Sequence, residues 1–145
     1  MLFRSLYSIS IDTLKKRNLR ERTEIFEQRA KSNGTFSYSP FYLQYGSELN
    51  NLAYEFFKHT NDLEKLAKAL KWSKRAMEIN EALVPEENRK QNPYFMDTYA
   101  SLLYRLGKKE EAIETQTKAI EILKSRNENT SNLETTLTKI KNGSL

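Results

Sequence analysis

Few side chains in this chain are suited to acid–base or metal chemistry. Its 145 residues include one histidine, His59, and no cysteine. A single chain therefore supplies no histidine pair for a proton relay or a metal, no thiol nucleophile and no thiolate ligand. Glu110 and Glu111 begin a helical pattern, where carboxylates complement the helix dipole and need no catalytic role. The sequence indicates a protein that is not an enzyme, with no catalytic residues, no metal site and no cofactor.

Aromatic side chains are the residues of this chain best suited to binding. Eight of the sixteen aromatic residues fall within 22 positions, and they are Phe36, Tyr38, Phe41, Tyr42, Tyr45, Tyr54, Phe56 and Phe57. One interpretation is that they fill the contact between an amino-terminal helix and the helices that follow it. The other is that the tyrosines line a groove for a partner, because tyrosine combines large contact area with a hydrogen-bonding group.

The positive charge of the chain is concentrated near its amino terminus. The net charge is +5, and residues 1–34 account for +4 of it. The excess lies around Lys15–Arg22, a cluster of a kind that binds phosphates or acidic lipid headgroups. Glu21, Glu24 and Glu27 follow closely and are spaced to pair with this cluster along a helix surface. We therefore favour a solvated helix face, and we keep a nucleic-acid or acidic-surface binder acting through this helix as the alternative function.

The remaining pattern predicts helices along most of the chain. Three prolines and four glycines leave little room for the many turns of a β fold. The predicted helices cover about 10–31, 48–58, 63–80, 93–106, 109–125 and 131–142. A further helical stretch after Pro40 is expected either to end near Tyr45 or to continue with a kink at Gly46. No apolar run approaches the roughly 20 residues that span a bilayer.

The last predicted helix has signals at both of its ends. Ser131 and Glu134 have the spacing of a capping box, in which the glutamate reaches back to the backbone amide of the cap residue. Gly143 is placed to end the helix. Leu133, Leu137 and Ile140 form one apolar stripe, so the sequence predicts a terminal helix with one apolar and one polar face.

Alanines recur at corresponding positions in two predicted helical hairpins. In the later hairpin the small residues are Ala100 on the first helix, Gly107 in the turn, and Ala112 and Ala119 on the second helix. The counterparts in the earlier hairpin are Ala53, Ala69 and Ala76. The two second-helix alanines lie seven residues apart in both cases and therefore share one helix face. Because small residues allow two helix backbones to approach closely, the hairpins are predicted to be two copies of one unit.

The segments LNNLAYEFFKHTNDLEKLAKALKWSKRAMEI (49–79) and NPYFMDTYASLLYRLGKKEEAIETQTKAIEIL (92–123) resemble the tetratricopeptide repeat, a helix–turn–helix unit of about 34 residues. This resemblance implies an all-α fold in which antiparallel hairpins stack as a short right-handed superhelix. The helix over 131–142 would cap its carboxy-terminal end. The resemblance also implies a protein–protein interaction or scaffolding function, with a peptide or a helix bound on the concave face.

In tetratricopeptide proteins the first helix of each repeat carries the ligand-facing positions. Aligned through the alanines, the resemblance assigns partner binding to Asn50, Tyr54, Phe57 and Lys58 in the earlier repeat and to Tyr94, Asp97, Ser101, Tyr104 and Arg105 in the later one. Chaperone-binding members hold a terminal carboxylate with a lysine and an asparagine one helical turn apart. The corresponding slots here hold Asn50 with Tyr54 and Asp97 with Ser101, so this pair is absent. We expect Tyr54, Tyr104 and Arg105 to share one concave side, unless the helix over 10–31 folds back and covers the tyrosines.

A wider resemblance covers residues 49–142 and concerns the carboxy-terminal helical region of bacterial thioredoxin-like proteins, typical of the Bacteroidetes. In those proteins a redox domain with a Cys-x-x-Cys motif precedes the repeats, and many of them are exported. This chain has no cysteine, so the redox chemistry does not carry over. The resemblance implies an accessory domain of a larger, exported or periplasmic protein, or a stand-alone relative that would be cytoplasmic.

Two segments are expected within one compact domain. Residues 1–48 form an amino-terminal helical segment with an aromatic-rich loop, and residues 49–145 form two degenerate repeats with the capping helix. The expected partner is a protein or a peptide rather than a small-molecule substrate or a nucleic acid. Two repeats give only a short concave surface, which a homodimer would enlarge.

Overall fold

The computed structural model describes residues 10, 12–13, 16, 41–83 and 91–145. Within these residues the chain forms five α-helices and no β-strand, as the sequence predicts for an all-α protein. The helices are α1 (Phe41–His59), α2 (Leu63–Leu83), α3 (Pro93–Arg105), α4 (Lys109–Ser125) and α5 (Ser131–Asn142). None of the described helices is both long enough and apolar enough to cross a membrane.

The amino-terminal predictions fall mostly outside the described residues. This applies to most of the helix over 10–31, to the basic cluster Lys15–Arg22 and to the aromatic residues before Phe41. Asp12, Thr13 and Lys16 are described, and all three are helical. Ser10 Oγ accepts a hydrogen bond from the Thr13 backbone amide at 3.2 Å, as an N-cap residue does.

Side chains that accept backbone hydrogen bonds fix the starts of α2 and α3. Asp62 Oδ1 accepts from the amides of Glu64 and Lys65 at 2.9 and 3.2 Å. Asn92 Oδ1 accepts from the amides of the second and third residues of α3 at 3.0 and 3.3 Å, and Pro93 occupies the first position of that helix. These bonds satisfy amides that have no partner within the helix.

The structure decides two predicted helix starts. Helix α1 begins at Phe41 and continues through Gly46, which agrees with the alternative of a helix that does not end near Tyr45. The predicted capping box at the start of α5 is wrong, because Thr130 is the N-cap residue. The Ser131 amide instead donates to Asn129 Oδ1 at 2.8 Å. The prediction for the other end is confirmed, since Gly143 ends α5 in the left-handed conformation with φ of 74°.

Gly46 permits a close contact at the start of the described core. A Cβ atom at this position would lie 2.9 Å from Phe95 Cε2 and 3.1 Å from the Ala76 carbonyl oxygen. Any larger residue would therefore displace α1 from α2 and α3. Glycine lowers the stability of the helix itself, but the close approach of α1 to α2 and α3 requires a residue without a side chain at this position.

The helices pack as hairpins that contact one another in chain order. Helix α1 packs mainly on α2, and α3 packs mainly on α4, while α2 and α4 each also pack on the helix that follows them. Helix α3 additionally contacts both α1 and α5. The α3–α4 turn closes through Gly107, which has φ of 81°, and a hydrogen bond from the Lys108 amide to the Leu103 carbonyl at 2.9 Å.

All six alanines of the predicted repeat positions lie in the core. Their exposed fraction is 0% in each case, at Ala53, Ala69, Ala76, Ala100, Ala112 and Ala119. One buried cluster joins Ala53 and Ala69 to Leu102 of α3, and another joins Ala100 and Ala112 to Ile140 of α5. The alanines therefore sit both within a hairpin and where one hairpin meets the next helix.

Enlarging one of these alanines should destabilise the fold. We expect Ala112→Leu to lower the free energy of unfolding by about 1–3 kcal/mol, because added methylenes at a close contact force backbone movement. Urea denaturation of the full chain measures this. Glu121→Leu, at an exposed position of the same helix, is the control and should stay within about 0.5 kcal/mol of the parent. Equal stability of Ala112→Leu and the parent would show that Ala112 is not at a tight contact.

Candidate partner-binding surface

Three of the predicted binding residues lie together on the last turns of α1. The rings of Tyr54 and Phe57 are stacked, with centroids 5.9 Å apart and planes 26° from parallel. Lys58 Nζ lies 5.1 Å from the centroid of the Tyr54 ring, a distance typical of a cation–π contact. Tyr54 is 40% exposed. These side chains form an aromatic surface that solvent reaches and that carries a cation at its edge.

Arg105, at the end of α3, extends this surface across to the second hairpin. Its guanidinium carbon lies 5.4 Å from the centroid of the Phe57 ring. The guanidinium nitrogens donate to the carbonyl oxygens of Phe57 and Thr60 at 3.3 and 3.0 Å, and also to Asn61 Oδ1. Because the last carbonyls of a helix have no partner within it, Arg105 caps α1 while stacking on its aromatic face. We refer to Tyr54, Phe57, Lys58 and Arg105 as the aromatic strip.

The two cations of the aromatic strip differ in how far their charge is balanced. Lys58 Nζ lies 2.7 Å from Glu55 Oε1, and His59 Nε2 lies 3.3 Å from Glu55 Oε2. The hydrogen bond from Lys58 lowers the pKa of Glu55 and raises the pKa of Lys58. Among the described residues, Arg105 meets only uncharged oxygen atoms. Its positive charge is therefore the less compensated of the two.

Asp97 lies in a polar junction of three helices rather than on an open surface. Gln116 Nε2, on α4, donates to Asp97 Oδ1 at 2.5 Å and to the Leu133 carbonyl of α5 at 3.0 Å. Burial raises the pKa of Asp97, while hydrogen bonds from Gln116 and Thr136 act in the opposite direction. The carboxylate thereby connects α3 to α4 and α5.

The other predicted binding residues have diverse positions. Asn50 and Ser101 are buried, with 9% and 3% exposed, so the structure leaves little of either for a partner. Tyr104 is half-buried and packs against the core cluster around Ile140, and its hydroxyl would lie 3.7 Å from a Cβ at residue 143. Tyr94 is 54% exposed, but eleven residues of helix separate it from Arg105, which is about 16 Å. The structure thus brings four of the nine predicted residues together in one strip.

Gln116 and Glu55 make contacts at these sites although neither is among the predicted binding residues. Gln116 is fully buried in α4, and it falls four residues after Ala112 and three before Ala119. A polar residue on the same helical face as two buried alanines is a recognisable signal for a buried polar contact. Glu55 carried no such signal, because an acidic residue one turn from a lysine is common on helix surfaces.

A shallow pocket lies beside the aromatic strip, at the turn between α1 and α2. Its volume is about 320 Å³, and it is lined by Glu55, Phe56, His59, Thr60 and Lys65. The Phe56 ring meets the edge of Trp72, with centroids 5.1 Å apart and planes at 86°. His59 is exposed at the end of α1. The described residues contain no group of three or more histidine, cysteine or carboxylate side chains arranged to hold a metal.

Comparison of the chain with known protein families, with curated proteins and with solved structures finds no match. The assignment of a function therefore depends on the geometry of these surfaces.

The junction at Asp97 should make stability depend on pH. The pKa of Asp97 is raised in the folded chain, so the folded state binds a proton at this carboxyl more tightly than the unfolded state does. The free energy of unfolding therefore falls as the pH rises through the raised pKa. Asp97→Asn removes the cost of a buried charge and keeps an acceptor for Gln116. We expect the variant to be more stable than the parent at pH 7 and to lose this advantage when Asp97 is protonated in the parent.

Urea denaturation between pH 3 and pH 7, a range that brackets the ordinary pKa of aspartate near 3.9, measures the difference. Glu121→Gln removes one negative charge at an exposed position of α4 and serves as the control. An Asp97→Asn variant that is less stable than the parent at pH 7 would show that the carboxylate charge itself stabilises the junction.

Replacing Arg105 should loosen the contact between the two hairpins. We expect Arg105→Ala to lower the free energy of unfolding by about 1–3 kcal/mol, because the carbonyls of Phe57 and Thr60 lose a charged donor. Arg105→Lys should recover only part of this loss, since lysine has no planar group to reach both carbonyls. Full recovery by lysine would indicate that charge alone, and not the paired hydrogen bonds, supplies the stability.

Proposed function

We propose that the chain is a non-catalytic protein-interaction module that binds a peptide or a helix through the aromatic strip. The observation that carries this proposal is the stacked pair of Tyr54 and Phe57 with a cation over each ring. Tyrosine and arginine are enriched among the residues that dominate binding energy at protein interfaces. The stacking also holds the rings in place before a partner arrives, which lowers the entropic cost of binding.

The proposal includes a tetratricopeptide-like arrangement of the helices. Three features support it: the hairpins contact one another in chain order, equivalent alanines are buried in both, and the exposed residues of α5 are all polar. A repeat array requires a terminal element whose outer face is polar, because no further repeat covers it. On this proposal the hairpins form a short right-handed superhelix, and α5 is its cap.

The wider resemblance gives the module a cellular setting within the same proposal. As the accessory carboxy-terminal region of a thioredoxin-like protein, the chain would bring a protein partner to a redox domain carried elsewhere. As a stand-alone relative, it would bind its partner directly. The aromatic strip has the same role in both settings, which is to supply the contact area for another polypeptide.

Selection of peptides on the full chain tests the proposed function. Random-peptide phage display against the immobilised chain should enrich sequences that share a motif, and titration calorimetry should then give the affinity of the selected peptide. We expect Tyr54→Ala to weaken that affinity by at least about tenfold, which corresponds to about 1.4 kcal/mol. Glu121→Ala, on the outer face of α4, should leave it unchanged.

Two results would contradict the proposal. One is a selected peptide that binds Tyr54→Ala as tightly as the parent, provided that the variant melts as a folded protein. The other is a selection that enriches no common motif. Tyr94→Ala, measured alongside, shows how far the bound peptide extends along α3.

A further inference from the structure

The exposed surface of α2 carries a row of lysines that winds around the helix, and only its first member, Lys65, lies at the pocket beside the aromatic strip. From Lys65 to Lys74, every exposed residue of α2 is a lysine, and the row consists of Lys65, Lys68, Lys71 and Lys74. The four residues span nine helical positions, or about 14 Å. None of the four forms an ion pair with another residue that the structure describes. Unbalanced like charges at spacings of three residues repel one another along a helix.

The matching face of α4 shows that the fold does not require these lysines. Lys68 and Lys71 lie one residue before and two residues after the buried Ala69. At the same positions relative to Ala112, helix α4 has Glu111 and Glu114. Glu111 pairs with Lys108, the N-cap residue of α4, at 3.4 Å, and Glu114 pairs with Lys118 of the same helix at 2.6 Å. One hairpin thus balances its outer charges, and the other hairpin accumulates positive charge at equivalent sites.

The composition of the row distinguishes between possible anionic partners. Protein interfaces are depleted in lysine and have an apolar centre, but no exposed apolar side chain lies between Lys65 and Lys74. Helices that lie on a membrane likewise insert apolar residues from the face that meets the lipid. Binding to a phosphodiester backbone needs neither feature, because lysine neutralises phosphates as a point charge.

We propose that the lysine row of α2 binds the phosphate backbone of nucleic acid without reading its sequence. One strand of a duplex carries a phosphate about every 3.4 Å along the helix axis. Lys68, Lys71 and Lys74 span six helical steps, or about 9 Å, and lie within about 120° of the helix circumference, so their long side chains can reach about three phosphates of one strand. Lys65 lies about a further 60° round the helix, where it also lines the pocket beside the aromatic strip. The surface of Lys68, Lys71 and Lys74 is therefore the part of the row that is distinct from the proposed peptide site.

Fluorescence anisotropy with a labelled DNA duplex of random sequence tests the proposal on the full chain. With three or four phosphates neutralised, affinity should fall by about 40- to 150-fold between 50 and 200 mM salt. The variant Lys68→Glu/Lys71→Glu copies the residues of α4, and its affinity should fall only about 4- to 12-fold over the same range. It should also bind more weakly than the parent at 50 mM salt by at least tenfold.

Two further variants separate the local effect from net charge and from folding. Lys118→Glu/Lys139→Glu makes the same change in net charge at exposed sites away from the row, and it should bind like the parent. Lys68→Ala/Lys71→Ala removes two positive charges without adding negative ones, and it too should bind the duplex more weakly and with a smaller salt dependence than the parent. Thermal melting verifies that each variant is folded.

The proposal is overturned if the parent does not bind the duplex at 50 mM salt. It is overturned equally if Lys68→Glu/Lys71→Glu binds with the affinity and salt dependence of the parent. A poly-glutamate peptide that displaces the duplex at lower concentration than unlabelled duplex does would assign the row to an acidic protein partner instead.

Discussion

The close approach of helix backbones at the buried alanines is the constraint on which the rest of this structure depends. Six alanines at corresponding positions of two hairpins have no exposed surface. A glycine, Gly46, has the same effect where α1 meets α2 and α3. Protein interiors are packed as densely as organic crystals, so a larger residue at these positions is accommodated only by moving a helix. The spacing between α1 and α3 is therefore set by small residues, and Arg105 reaches the last carbonyls of α1 because of that spacing.

The α3–α4 turn connects the second hairpin to the helices on both of its sides. Arg105 donates to the carbonyls at the end of α1, and Lys109 Nζ donates to the Lys141 carbonyl near the end of α5 at 2.8 Å. Both cations lie at the negative end of a helix dipole and satisfy carbonyls that lack a partner within the helix. The same turn therefore orders the packing of the hairpins and places a guanidinium group over the ring of Phe57. In Arg105 the structural role and the proposed binding role belong to one side chain.

The fold was more predictable from the sequence than the surface was. Helix boundaries such as 109–125 and 131–142, and the left-handed end at Gly143, follow from local signals that act within a few residues. The error at the start of α5 arose because Asn129 Oδ1, and not the Glu134 carboxylate, accepts the hydrogen bond from the Ser131 amide, and sequence spacing alone does not decide between these two acceptors. Alanine burial was predictable because a repeated spacing marks one face of a helix.

Side-chain contacts between helices were beyond sequence reasoning. Asp97 and Tyr104 occupy positions that the alignment assigns to a binding face. In the structure Asp97 accepts hydrogen bonds from Gln116 and Thr136, and Tyr104 packs against the core cluster around Ile140. Each of these contacts depends on which residue of the neighbouring helix lies opposite the side chain. By contrast, Tyr54 and Phe57 stack within one helix, three residues apart, where spacing does predict contact. The lysine row was not predicted from the sequence, because both the exposure of its members and the absence of ion pairs among the described residues come from the structure.

The central claim is that the aromatic strip is the surface at which this module meets another polypeptide. Mapping of chemical shifts in the ¹⁵N-labelled chain, titrated with a display-selected peptide, tests this claim directly. The account predicts the largest changes at the amides of Tyr54, Phe57, Lys58 and Arg105, with little change on the outer face of α4. Changes concentrated on α4 or α5, with the strip unaffected, would contradict it.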